Sequence, residues 1–289
     1  MKALVLPHVI VQNANAFPSP FSIGFPAVTA FMGAVHALER HLRREFDDVR
    51  FLSVGIISHK ADLQVYKGPG DYVYSVVNTA NPLDKKGERP SFIEEPRIHL
   101  DVSLVVEMEG IRKPKEKIFL EAVKRLMLSK MRLAAGDILH IGTPVIDRDL
   151  THRNLMRHTG PGYALIEKRD VMQEAMEQGM DAIEALIDVL SIHHTCREDE
   201  GKVLWESKRK YEGWLVPAAI GFQGIGPLGK ALNQRDPDTL HRFAESVVTL
   251  GEFKMPHRLG TIDEMMWEYR CLEAKNLYLC ETKITPRSK

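Results

Sequence analysis

Residues 12–44 read QNANAFPSPFSIGFPAVTAFMGAVHALERHLRR, and they join a predicted strand to a predicted helix. The segment before them, residues 3–11 (ALVLPHVIV), is apolar and rich in branched side chains, which predicts a β-strand. Prolines and glycine then mark a loop through residues 16–26. A helix follows, because four apolar side chains recur at helical spacing: Phe31, Val35, Leu38 and Leu42.

The opposite side of this helix carries a second stripe, formed by Gly33, His36, Arg40 and Arg44. One interpretation is a nucleic-acid corner, in which the amide-rich turn at residues 12–15 and the cations contact a phosphate backbone. The other interpretation is an ordinary strand–loop–helix unit whose outer face is solvated. The stretch alone leaves both interpretations open.

The first half of the chain predicts an α+β domain. Residues 52–58, 62–67, 71–77 and 137–141 favour strands, and residues 115–131 favour an amphipathic helix. Residues 97–108 alternate, so that Ile98, Leu100 and Val102 share one face while His99, Asp101 and Ser103 share the other.

The resulting order of elements is β, α, β, β, β, α, β, which resembles the split βαβ plan of ferredoxin-like and RNA-recognition folds. That plan leaves one face of the sheet open, and RNA-recognition domains bind bases on it. We therefore expect a ferredoxin-like, RNA-recognition-motif-like antiparallel core with an inserted helical arm and a C-terminal α/β extension.

The rest of the chain is divided by composition. Residues 148–161 form its most basic window, and a helix or a pair of helices is predicted over residues 170–190. We predict a core over residues 1–145, a basic, helical arm over residues 146–200, and strands and helices completing the core over residues 201–289. In the last part, strands are predicted at 213–222 and 277–285 and helices at 238–250 and 261–269. The three tryptophans, Trp205, Trp214 and Trp267, are expected in the core because their neighbours are apolar.

Composition narrows the functional classes. The chain carries 39 basic and 39 acidic residues, so it is not expected to bind nucleic acid indiscriminately. Any nucleic-acid site must then be a local patch. Three cysteines without a CxxC pair favour a reducing, cytoplasmic compartment. Neither a long apolar run nor a secretory signal is apparent, so no membrane partner is expected.

Signatures of catalysis or of a bound cofactor are weak. The sequence GIGPLG at residues 224–229 matches a dinucleotide motif by letter, but a helix is not expected to open there. His193, His194 and Cys196 lack a second pair of ligands at usable spacing, so no metal and no cofactor are expected. His36, His59 and His99 remain an alternative, since their convergence after folding would permit acid–base cleavage of RNA.

Several segments together resemble the Csy-two family of type I-F CRISPR proteins, the Cas-five-type subunits of the type I-F Cascade (Csy) complex. They occur in family order along nearly the whole chain: IVQNANAF (10–17), SPF (19–21), GFP (24–26), AFMGAVHAL (30–38), SVGIISH (53–59), NPLDKKGERPSFIEEPRIHLDVSLVV (81–106), MRLAAGDIL (131–139), PGYALIEKR (161–169), GWLVPAAIGFQGIGPLG (213–229), LHRFAESVVTLGEF (240–253) and PHRLGTIDEMMWEY (256–269).

The resemblance implies a non-catalytic structural subunit that holds the 5′ handle of CRISPR RNA for antiviral DNA surveillance. It also implies a heterodimer with the large type I-F subunit, contact with the adjacent backbone subunit, and proximity to target DNA at its PAM end.

The alternative function is a metal-independent endoribonuclease that processes CRISPR RNA. A third is a module that only bridges protein subunits.

Motif position and charge indicate the residues that we expect to contact RNA. They are Gln12, Asn13, Asn15, Ser19, Phe25, His36, Arg40, His59, Arg97, His99, Arg132, Arg148, Arg153, Arg157, His257 and Arg258. Among them we expect the amide corner, Asn13 and Asn15, to matter more than the cation at Arg44. The corner follows the end of a central strand, whereas Arg44 lies on a helix that should back the sheet.

Overall fold

The computed structural model describes residues 1–77, 83–89, 95–199, 202–234 and 236–283. The strands in these ranges are β1 Ala3–Asn15, β2 Arg50–Leu63, β3 Val65–Tyr66, β4 Ser75–Val76, β5 Arg97–Glu109, β6 Arg132–Leu133, β7 Gly136–His140, β8 Val145–Asp147, β9 Tyr163–Glu167, β10 Ile192–Asp199, β11 Lys202–Arg209, β12 Leu215–Gly224, β13 Ala244–Lys254, β14 Met266–Leu272 and β15 Leu277–Thr282. The α-helices are α1 Val28–Leu42, α2 Glu116–Ser129, α3 His152–Thr159, α4 Arg169–Glu177 and α5 Ala182–Leu190. Short 3-10 helices span Lys113–Lys115, Pro256–Arg258, Ile262–Met265 and Glu273–Lys275.

An 11-stranded antiparallel sheet organises the chain. Its order is β14–β15–β12–β13–β9–β2–β5–β1–β7–β6, and β8 also pairs with β1. Strand β2 pairs with β9 through Ile57 and Ser58 and with β14 through Val54 and Gly55. These pairings close a ring of strands in the carboxyl-terminal part of the sheet. Mixed α/β architecture with a large antiparallel sheet is thus confirmed.

The two long amphipathic helices pack on one face of the sheet. Side chains alternate along β1, so that Leu4 and Leu6 enter one core cluster while Ala3 and Val5 enter another. The first cluster contains the buried stripes of α1 and α2, including Phe31 of α1. Both helices are therefore confirmed, and the apolar positions predicted from the sequence are the ones that α1 buries.

The opposite face is covered only in part. Helix α3 and the 3-10 helix Ile262–Met265 pack through Leu155 and Met265 against Val5 and Val105. Beyond this cover, the carboxyl half of β1 and the amino half of β5 carry polar side chains on that face. The prediction of a wet face is confirmed for this part, while the remainder is buried.

The predictions of two helices near the carboxyl terminus, at residues 238–250 and 261–269, are wrong. Residues 244–254 form strand β13, which lies between β12 and β9, and residues 238–243 form no helix. The branched side chains of Val247, Val248 and Thr249 suit that pairing. Residues 261–269 form a 3-10 helix and then β14, because pairing with β15 and β2 extends the backbone from Met266 onward.

Other sequence predictions differ in extent. The strand predicted at 71–77 is limited to Ser75–Val76, whereas those at 52–58, 137–141 and 213–222 are confirmed with shifted ends. Trp267 is buried as expected, but Trp205 and Trp214 are exposed by 70% and 53%. The end of the predicted strand 277–285 lies outside the described residues.

The predicted division at residues 145 and 200 stays a prediction. Residues 146–200 contain α3, α4 and α5, as expected for a helical arm, but also β9. Strand β9 pairs with both β2 and β13 in the main sheet. Strands β10 and β11 pair with each other in a separate hairpin.

Gly110 provides a test of how β5 is terminated. Its φ of +87° is the same as that of Gly70, but a Cβ at Gly110 would overlap the Asp48 carbonyl, whereas a Cβ at Gly70 meets nothing within 4 Å. We expect Gly70→Ala to cost roughly 1–2 kcal/mol from the left-handed backbone alone. Gly110→Ala should lower the free energy of unfolding by more, because the Asp48 backbone must also move. Equal losses in denaturant titrations would contradict this packing.

Candidate functional site

A row of polar side chains, here called the polar strip, lies on the partly open face of the sheet. Strand β5 turns Ile98, Leu100 and Val102 toward the helices, so its intervening side chains point the other way. The strip consists of His8 and Gln12 on β1, His59 on β2, and His99, Asp101 and Ser103 on β5.

A β-bulge in β1 positions His8. The register with β5 shifts between Leu6 and Val9, and His8 has a positive φ of 47°. Its backbone N–H donates a hydrogen bond of 3.0 Å to Ser103 Oγ. Its ring nitrogen Nδ1 lies 3.0 Å from the carboxylate of Asp101. The bulge thus gives His8 two anchors on the neighbouring strand, one through its backbone and one through its ring.

His59 is held in one tautomer. Its Nδ1 lies 2.7 Å from the carbonyl oxygen of Pro161, which can only accept, so Nδ1 carries the proton. Its Nε2 therefore accepts from Ser103 Oγ at 2.7 Å. Burial lowers the pKa of His59 below its ordinary value, although the hydrogen bond to Pro161 opposes this effect. A neutral imidazole with its Nε2 lone pair facing the strip is the result.

The strip continues into a groove of about 350 Å³. Ile10 and Leu139 contribute apolar walls, while Gln12, Lys60 and His99 contribute polar groups. The backbone N–H of Asn13 donates to His99 Nδ1 at 3.1 Å. An apolar hollow with a few converging polar groups is typical of a site for a small organic ligand.

Three predicted contact residues between the end of β1 and the start of α1 have partners within the protein. Asn15 exchanges two hydrogen bonds of 3.1 Å with the backbone of Phe17, and the buried Ser19 bonds to Ser22 Oγ at 2.8 Å. Phe25 stacks on Phe31 with ring centroids 5.4 Å apart. These contacts shape the loop and its junction with α1. Contact with RNA remains a prediction for these residues.

His36 and Arg40 lie on α1, which covers the other face of the sheet. Arg40 lines a basic hollow of about 400 Å³ together with His41, Arg43 and Arg44. Arg132 lines the adjoining hollow and pairs with Asp137 at 3.2 Å. His36 therefore does not meet His59 and His99, and the convergence considered from the sequence is wrong. The structure brings His8 beside His59 instead, with ring centroids 4.3 Å apart.

The remaining predicted cations do not gather in one place. Arg153 and Arg157 are exposed on α3, and His257 and Arg258 are exposed on the 3-10 helix that packs beside it. Two other cations have acidic partners: Arg97 lies 2.6 Å from Glu95, and Arg148 pairs with Glu116. The residues predicted from the sequence thus fall on both faces of the sheet and do not form one site.

Comparison with known proteins connects this fold to a family. Residues 4–280 match the family model described as CRISPR-associated protein (Cas_Csy2). The chain belongs to the Csy2 family. It is also 31% identical, over 313 aligned residues, to the CRISPR-associated protein Csy2 of Pseudomonas aeruginosa strain UCBPP-PA14. That alignment covers 96% of this chain and 94% of the relative, so the family resemblance read from the sequence is confirmed.

The sequence did not reveal every residue of the site in this Csy2-family chain. His8 and Lys60 were missed, because the bulges in β1 and β2 that aim them have no signal in a pattern of alternating residues. Asp101 was placed on the wet face, and its spacing from His99 was the signal that could have added it. Within the described ranges, the helices are too short or too polar to cross a bilayer.

Ser103 joins β1 and β2 through one hydroxyl, and this junction can be tested. Ser103→Ala leaves the partly buried His8 N–H and the Nε2 of His59 without this partner, which should cost about 1–3 kcal/mol of unfolding free energy. Ser75→Ala, at an exposed strand serine, is the control and should change stability by less than about 0.5 kcal/mol. Thermal and chemical denaturation measure both variants. Equal losses of unfolding free energy in Ser103→Ala and Ser75→Ala would refute the role given to the Ser103 hydroxyl.

Proposed function

We propose that this protein is a non-catalytic structural subunit of a type I-F Cascade complex and holds the 5′ handle of CRISPR RNA on the partly open face of its sheet. Family membership supports the assignment to this CRISPR system. The single observation that carries the RNA assignment is the polar strip and its groove, built on β1 and β5. We place this activity in the cytoplasm.

The order of strands supports an RNA-recognition-like core. In the amino-terminal part of the sheet the order is β7–β1–β5–β2, and α1 and α2 share one face. In chain order these strands are the fourth, first, third and second of a split βαβ unit. RNA-recognition domains bind unstacked bases on the face opposite their helices, where this chain has its groove.

The groove has the chemistry that a single-stranded nucleotide requires. Apolar walls at Ile10 and Leu139 suit the face of a base, and the side chains of Gln12 and His99 can hydrogen-bond its edge. Lys60 supplies a cation for a neighbouring phosphate. Arg153, Arg157, His257 and Arg258 would extend this contact along the same face. A zero net charge agrees with recognition of a short RNA end inside a larger assembly.

The cations on α1 have a different role in this proposal. An RNA strand bound in the groove would have to pass around the edge of the β-sheet to reach His36, Arg40 or Arg132. In this proposal these side chains face the large type I-F subunit, the adjacent backbone subunit or target DNA near the PAM end. Their position behind the sheet favours a partner other than the handle.

A metal-independent endoribonuclease is the second candidate. It is favoured by one observation, the stacked pair of His8 and His59 with Asp101 beside it. Two imidazoles can act as acid and base in RNA cleavage. Precursor RNA incubated with the protein in chelator separates the two functions. The scaffold proposal expects intact RNA, whereas cleavage at one site that is lost in His8→Gln would establish the nuclease.

The RNA proposal is tested with the co-expressed complex, by measuring binding of handle RNA and of a scrambled RNA at two salt concentrations. Gln12→Ala combined with Lys60→Ala should weaken handle binding by about tenfold or more, because a base contact and a phosphate contact are lost together. Both side chains are exposed, so folding should be preserved.

The matched control is His36→Ala combined with Arg40→Ala, which also removes one polar side chain and one cation from exposed positions. Handle binding should then change by less than about threefold. If the control pair weakens binding more than the groove pair, the face assigned to RNA is wrong. If handle and scrambled RNA bind equally well to the unaltered complex, handle recognition itself is wrong.

A further inference from the structure

Three potential metal ligands meet in the polar strip from three different strands. They are the ring nitrogens of His8 on β1 and His59 on β2, and the carboxylate of Asp101 on β5. One ligand atom from each lies within 4.8 Å of the others. Zinc–nitrogen bonds are about 2.0–2.1 Å long, so a modest inward adjustment of these side chains would place all three around one ion.

The surroundings of His59 have the form of an outer coordination shell. A metal-binding histidine usually donates its second ring N–H to a carbonyl or carboxylate oxygen. His59 does so through Nδ1, which donates to the Pro161 carbonyl at 2.7 Å. Its Nε2 thereby keeps a lone pair, which accepts a hydrogen bond from the Ser103 hydroxyl at 2.7 Å.

Solvent can reach the cluster from one side. The side chains of His8 and Asp101 are 45% and 24% exposed, while Ser103 beneath them is buried. An ion bound here would keep water at its remaining positions. Two imidazoles and one carboxylate suit divalent ions of the zinc, cobalt and nickel type, whereas magnesium and calcium prefer oxygen ligands alone.

We propose that His8, His59 and Asp101 form a binding site for one divalent transition ion of the zinc class. The inference goes beyond the proposed function, because the site needs neither RNA nor a partner subunit. Ion binding would replace the hydrogen bond between His8 and Asp101 and release the Ser103 hydroxyl from His59. Strands β1, β2 and β5 would then be joined by coordination bonds as well as by backbone pairing.

The test uses the full chain and titrations with Zn²⁺, Co²⁺ and Mg²⁺ followed by calorimetry. Exposed histidines bind such ions weakly, so the starting protein carries His193→Gln and His194→Gln, which remove the exposed pair on β10. We expect one Zn²⁺ or Co²⁺ per chain, a Co²⁺ absorption spectrum typical of nitrogen and oxygen ligands, and no comparable binding of Mg²⁺.

Two further variants decide between coordination and adventitious binding. Asp101→Asn and His59→Gln should each reduce Co²⁺ affinity by at least about tenfold, since losing even an outer-shell partner costs 10–100-fold. His36→Gln, on α1, should leave affinity unchanged. Circular dichroism checks that each variant is folded, and Asp101→Asn preserves the shape of the side chain. Unchanged affinity in folded Asp101→Asn, or no binding to the starting protein, would overturn the proposal.

Discussion

The antiparallel pairing of β1 with β5 is the interaction on which the rest of the structure depends. Each strand buries one row of side chains beneath α1 and α2, so the register between the strands sets both rows at once. A slip of one residue would move Leu100 and Val102 to the polar side and His99 and Asp101 into the core. The hydrophobic free energy of the core therefore also fixes the order of the polar strip.

The bulge at His8 changes what this pairing presents to solvent. It frees the backbone N–H of His8, which donates a hydrogen bond to Ser103 Oγ. It also directs the His8 imidazole toward the carboxylate of Asp101. Ser103 in turn holds His59 from β2. Three strands are thus joined by side chains as well as by backbone hydrogen bonds. The arrangement keeps polar groups in fixed positions beside the groove, where a bound nucleotide would need them.

Local patterns in the sequence were sufficient for the amino-terminal part of the fold. Helix α1 follows from the spacing of Phe31, Val35 and Leu38, and the two faces of β5 follow from alternation. The carboxyl-terminal part was harder, because Val247 and Thr249 lie in a segment that also fits a helical pattern. Pairing with β12 and β9 decides its conformation, and pairing between distant segments has no local signal. Trp205 was misplaced because β11 pairs only with β10 within the described residues and leaves the indole exposed.

The site was predictable to the extent that it depends on alternation. His99 and Gln12 were identified because they lie on a predicted strand or directly after one. Their association with His8 and Lys60 was not predictable, because bulges re-aim these two side chains. Charge alone predicted too many cations at the RNA site. Arg40 and Arg132 are exposed, but the sequence does not say which face of the sheet they occupy. Position relative to the sheet, more than charge, separates the residues assigned to the handle from those assigned to other partners.

Photo-crosslinking of the co-expressed ribonucleoprotein, with 4-thiouridine in the handle of the CRISPR RNA, tests the central claim most directly. Mass spectrometry would locate the crosslinked peptides. The account predicts adducts in residues 8–13 of β1 and residues 97–101 of β5, at the groove. Adducts confined to residues 36–44 at the end of α1 would contradict it, because they would place the handle on the opposite face of the sheet.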